Sequence, residues 1–110
     1  MRIEIEHVLK IIFLACIAVI TFLAFVPLDN APDTGFSDKV NHIAAFALLA
    51  ALAAGSYKGG YRALITGLVI YGLFIEAVQY FIPGRSCSAM DFFADICGIA
   101  AGLLLYRFMP

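Results

Sequence analysis

Apolar residues fill four long stretches of the chain, and polar or turn-forming residues gather between them. The stretches cover about 8–27, 40–56, 61–82 and 89–109. Each is close to the ~20 apolar residues that carry a helix across a hydrocarbon core. The second, VNHIAAFALLAALAAGS, is short and rich in alanine. PLDNAPDTGFSD, in the first break, holds two prolines, a glycine and four acids or amides. YKGGY carries a Gly-Gly pair, and PGRSCS opens on Pro-Gly, both strong turn signals. These last two breaks are short enough to make neighbouring helices antiparallel. The pattern predicts an all-α fold: one polytopic membrane domain over residues 1–110, with four transmembrane helices in an up-down bundle.

Composition removes the soluble alternative. Of 110 residues, 64% are hydrophobic and only 14% charged, against roughly 25% charged in an ordinary soluble domain. Mean hydropathy is +0.99. A net charge of −1 offers nucleic acid no basic surface, so no such partner is expected. The three cysteines, Cys16, Cys87 and Cys97, make no CxxC pair and read as small hydrophobes rather than a disulfide framework. Glu4 and Glu6 precede the first stretch and no small-x-small site follows it, so it is expected to be a retained helix rather than a cleaved leader. Arg2, Lys10, Lys58, Arg62 and Arg107 fall on one side of this layout, Lys39 and Arg85 on the other. The positive-inside rule then places both termini in the cytoplasm and residues 28–37 outside.

In that layout the ionisable residues of the last three spans collect at the outer ends. Asp38, Lys39 and His42 open the second span, and Glu76 and Gln79 close the third. Arg85 lies in the following turn, and Asp91 and Asp95 open the fourth. At 100° per residue, Asp38 and His42 share a stripe, and Glu76 and Gln79 share one with Gly72 and Tyr80. Asp91, Asp95, Gly98 and Gly102 fall within about 60° of one another. Gly98 and Gly102 have the small-xxx-small spacing that brings helices close in lipid. The carboxylates are therefore expected to face inward, because a charge facing lipid costs several kcal/mol. Glu76 sits about six residues short of the helix end, roughly 9 Å deep, inside a pocket open to the outside. Pro83 and Gly84 turn the chain and bring Arg85 over that pocket, where a guanidinium pairs with carboxylate or holds an anion.

DKVNHIAAFALLA, followed by EAVQYFIPGRSCSAMDFFADICGIAAG, resembles the VanZ-like family of small bacterial membrane proteins. The matching positions are Asp38, Lys39, His42, Phe46, Glu76, Gln79, Gly84, Arg85, Asp91, Gly98 and Gly102, in the family's order. Asp95 departs from it, since the family more often has asparagine there. The resemblance implies a multi-pass protein of the bacterial inner membrane. It also implies a cell-envelope role related to resistance to teicoplanin, a lipoglycopeptide that acts outside the membrane. Some family members are labelled phosphotransbutyrylases, an activity that fits poorly with an outward-facing pocket.

The residues themselves leave several chemistries open. His42 is a candidate general acid or base, or a helix tie to Asp38, Glu76 or Asp91. Glu76 is a candidate acid or base, or half of an ion pair with Arg85 or Lys39. Asp91 is the third catalytic candidate, and also the acid of a capping box whose N-cap is Ser88. Asp38, Lys39, Gln79, Arg85 and Asp95 are the candidate ligand-binding residues. With one usable histidine and no HxxxH or CxxC spacing, zinc is not expected. A magnesium or calcium ion on Asp91, Asp95 and Glu76 is the remaining metal option, and the reading carries no metal and no cofactor. Three functions stay open: an accessory binder of an anionic lipid, lipid-linked precursor or lipoglycopeptide; a membrane enzyme using His42 and Glu76 on such a headgroup; or a polar network without ligand. Membrane lipids are the expected surroundings, and a homo-oligomer stays open. The topology itself predicts that a C-terminal green fluorescent protein fusion glows while a C-terminal alkaline phosphatase fusion is silent. Phosphatase inserted within residues 29–36 should be active, and the reverse pattern would invert the layout.

Overall fold

The computed structural model describes residues 2–26, 38–57, 60–82 and 89–108. They form four helices and, among the described residues, no strand: α1 (Arg2–Phe25), α2 (Asp38–Ser56), α3 (Tyr61–Tyr80) and α4 (Ala89–Arg107). All four are long and apolar enough to cross a membrane. The long axis measures 45 Å, close to the ~40–45 Å of a bilayer with its headgroups. Large apolar side chains point outward on every helix, among them Ile11, Phe22, Leu48, Ile70, Phe93 and Leu105. In water such a surface would aggregate; against acyl chains it is the solvent-matched face.

Helix ends depart slightly from the apolar boundaries, for local reasons. α1 starts at Arg2, before the apolar run, because nothing between Arg2 and Val8 breaks a helix. α3 ends at Tyr80, where Phe81 N–H reaches Val78 O at 3.0 Å and Ile82 N–H reaches Gln79 O at 3.2 Å. That tight last turn is of the i→i+3 kind. Ile82 precedes Pro83, which disfavours continued helix at that residue.

Side-chain neighbours fix the arrangement. Ile43 meets Gly98 and Ala47 meets Gly102, so α2 and α4 run parallel. Phe46 packs near Gly72, while His42, one turn earlier on α2, faces Glu76, one turn later on α3, so α3 runs opposite to both. Lys10 and Phe13 of α1 meet Tyr57 at the end of α2, making that pair antiparallel too. The result is an up-down bundle with α2 at its centre. Of the α2 span 44% is buried, against 6% of the α1 span. The apolar core is Phe46, Leu49, Ala50, Leu68 and Ile99.

The α2–α4 contact depends on two missing side chains. A Cβ on Gly98 would lie 2.5 Å from Ile43 O and 2.9 Å from Phe46 Cβ, and one on Gly102 would run into the carbonyl of Ala47. Lipid supplies no hydrophobic drive between helices, so such close packing is the main attraction. α1 is held more loosely, by a 2.6 Å hydrogen bond between the Thr21 and Tyr71 hydroxyls and by Tyr71 donating to Ile17 O at 3.4 Å. Bonds of this kind contribute about 0.6 kcal/mol on average.

Gly98→Ala and Gly102→Ala should each destabilise the protein by about 1–3 kcal/mol or more, the range for overpacking. Gly67→Ala is the control: a Cβ there meets nothing within 4 Å, so removing a mid-helix glycine should be neutral or stabilise by up to about 1 kcal/mol. Thermal unfolding in detergent separates the three.

Candidate functional site

Three helices turn polar residues toward one another at one end of the bundle. α2 supplies Lys39 and His42 in its first turns. α3 supplies Glu76 and Gln79 near its end, three residues apart. α4 supplies Asp91 and Asp95, one turn apart near its start. His42, Glu76, Gln79, Asp91 and Asp95 are all buried, none more than 8% exposed. Gly72 on α3 and Gly98 on α4 are buried on the same faces. The face that packs is therefore the face that carries charge.

The closest contact joins α2 to α4. His42 Nδ1 lies 2.6 Å from Asp95 Oδ1, a short bond of the charge-assisted kind. With Nδ1–H as donor, the neutral ring keeps Nε2 as an acceptor. Glu76 Oε1 lies 3.8 Å from the same His42 nitrogen, which brings α3 into the group. Lys39 Nζ, half exposed at the edge, lies 3.4 Å from Asp91 Oδ1, which is nearly inaccessible. Asp95 has room because position 72 has no side chain: a Cβ there would stand 3.2 Å from Asp95 Oδ2 and 3.6 Å from Phe46 Cε1. Phe46, 1% exposed, closes the cluster on the side of the apolar core.

Most of the expected residues converge. Lys39, His42, Glu76, Gln79, Asp91 and Asp95 lie on the inward faces or at the rim of one cluster. Arg85, Ser88 and the side chain of Asp38 lie outside the described residues. The His42–Glu76 tie, at 3.8 Å, is among those expected; two other pairings differ. The shortest contact of His42 is to Asp95, and Lys39 pairs with Asp91. Asp95 shares a helical stripe with Asp91 and Gly98, and that glycine brings α4 against α2 beside Ile43. The signal for the His42–Asp95 pair was thus in the sequence, but reading it required the α2–α4 register. Tyr80 turns outward, because it lies about 80° from Gly72 around the helix while Glu76 and Gln79 stay within about 40°.

A metal would find ligands here in a set other than the all-carboxylate one. One ring nitrogen of His42 and one carboxylate oxygen each from Glu76 and Asp91 lie within 4.8 Å of one another, all buried. An N,O,O donor set suits zinc or manganese better than calcium. The other chemistry the geometry permits is proton transfer at His42, with Asp95 holding the ring.

Asp95→Ala removes the acceptor of a buried donor, and should cost about 1–3 kcal/mol. Asp95→Asn keeps a carbonyl oxygen at that position and should cost less than half as much. Equal losses in thermal unfolding would mean that the 2.6 Å contact contributes nothing specific.

No curated protein and no solved structure matches the chain significantly. The sequence pattern of the VanZ/LLP1 family matches residues 5–110, which takes in α2, α3, α4, all but the first three residues of α1, and every residue of the cluster. The chain belongs to the VanZ/LLP1 family.

Proposed function

We propose that the protein is a cell-envelope accessory protein of the inner membrane that binds the polar headgroup of an amphiphile at this cluster, from the outer side. The reading rests on one observation: five polar side chains from three helices are buried together in a lipid-facing bundle, with half-exposed Lys39 at their rim. One polar residue is enough to fix helix register; five at one end make a site. Lys39 and Arg85 receive the anionic part of the ligand, while Gln79, His42 and Glu76 orient the rest. Asp38 and Asp95 complete the ligand-binding set. Both termini lie in the cytoplasm on this reading. An anionic lipid, a lipid-linked wall precursor and a lipoglycopeptide all present such a group at the outer surface. The family's general association with teicoplanin resistance supports a ligand of that kind.

The 2.6 Å His42–Asp95 bond favours a second reading, acid–base chemistry on the same headgroup. Asp95 would orient the ring, Nε2 of His42 would move the proton, and Glu76 and Asp91 would serve as the partner carboxyl groups.

Thermal unfolding of the detergent-purified protein with teicoplanin, phosphatidylglycerol vesicles or a lipid-linked wall precursor tests the binding reading. A ligand at a hundredfold its Kd adds about 2.7 kcal/mol. Lys39→Ala and Arg85→Ala should both abolish that gain; Lys39→Ala should also lower the unliganded midpoint, because it removes the 3.4 Å partner of buried Asp91. Conversion of the headgroup that stops in folded His42→Ala or Glu76→Gln would establish the enzyme instead. If every substitution merely unfolds the protein, the cluster is structural.

A further inference from the structure

A second space, mostly apolar with polar groups at one end, lies at the other end of the bundle, away from His42. It is a cavity of about 680 Å³ between α1 and α3, closed on one side by the end of α2. On α1 it is lined by Glu6, Lys10, Phe13 and Ile17, and on α3 by the stripe from Gly60 through Leu64 and Gly67 to Tyr71. Both sets repeat at helical spacing, so two helix faces look at each other across a gap. The polar groups sit together at one end. Lys10 Nζ stands 4.8 Å above the Tyr57 ring, with Glu6 one turn before it on the same face. The Thr21–Tyr71 hydrogen bond closes the other end. From Gly60 to Tyr71 the cavity follows roughly 16 Å of helix rise, about half of a ~30 Å hydrocarbon core. That is the depth of one leaflet.

Gly67 makes the gap informative. A Cβ at this position meets nothing within 4 Å, unlike the α4 glycines, which exist so that α2 can approach. Glycine inside a helix costs about 1 kcal/mol against alanine, and no neighbour in the chain requires it here. What it does is keep the cleft wide.

We propose that this cleft is a phospholipid site. One acyl chain lies between α1 and α3 against Phe13, Ile17, Leu64 and Leu68, with the phosphate at Lys10 and the headgroup ammonium at Glu6. The charge pair at the mouth selects an aminophospholipid of the phosphatidylethanolamine kind over one with a neutral alcohol headgroup. A helix from a second copy could fill the apolar wall, but it would set hydrocarbon against Glu6 and Lys10. The site is independent of the headgroup cluster at the opposite end.

Native mass spectrometry of the full chain in detergent, with dipalmitoyl phosphatidylethanolamine or phosphatidylglycerol added, reads the occupancy. The wild type should carry one phosphatidylethanolamine per chain. Gly67→Leu should lose it without lowering the thermal midpoint, and Ala63→Leu on the same wall gives the same reading should Gly67→Leu not fold. Lys10→Ala should weaken binding about fivefold, the scale of one basic residue at a lipid surface. Glu6→Gln should erase the preference over phosphatidylglycerol. Wild-type protein with no one-to-one adduct, or filled variants that bind as well as wild type, overturns the site. A lipid-free dimer that Gly67→Leu converts to monomer overturns it in favour of a second copy.

Discussion

Hydrocarbon solvates neither a carboxylate nor an imidazole, and the bundle is organised around that constraint. A charge left facing acyl chains costs several kcal/mol, so the polar residues of α2, α3 and α4 must face one another, and their helices must come close enough for that to work. Gly98 and Gly102 make the approach feasible by letting the α4 backbone meet the carbonyls of Ile43 and Ala47. The same register puts Asp95 against His42 one turn earlier. Packing and pairing are therefore one interaction: widen the glycine contact and the 2.6 Å bond is lost with it.

Burial is distributed accordingly. α2 carries three of the five core residues and two of the six site residues, and its alanines let three neighbours crowd it. α1 has few buried positions and is tethered to α3 by Thr21 and Tyr71. The tightly packed part of the molecule is the part that holds the buried ionisable residues. The loosely packed part holds the cleft.

The four spans were legible because apolar length is the strongest signal a membrane sequence carries. The inward direction of Glu76, Asp91 and Asp95 was legible for a second reason: each shares a stripe with a glycine, and glycine marks the packing face. Partner choice was not legible. Helical arithmetic gives angles within one helix and says nothing of the vertical offset between two, so Asp38, Glu76 and Asp91 were the partners expected for His42 and Asp95 was not among them. The Ile43–Gly98 contact sets the offset that brings Asp95 to the ring. The cleft was hidden for a similar reason. Gly67 and Gly98 are alike in sequence, and the difference between an open wall and a crowded one appears only when the neighbouring helix is in place.

The parallel alignment of α2 and α4 has a consequence for how the protein is made. Helices inserted one after another meet their antiparallel sequence neighbour first, but α2 cannot meet α4 until α3 has crossed the bilayer and the chain has returned. Until then His42 waits in the membrane without Asp95: Glu76 arrives with α3, and the two aspartates come only with α4. The polar end is thus completed late in biogenesis, and a chain halted after its third crossing would be held back with His42 and Glu76 facing no aspartate.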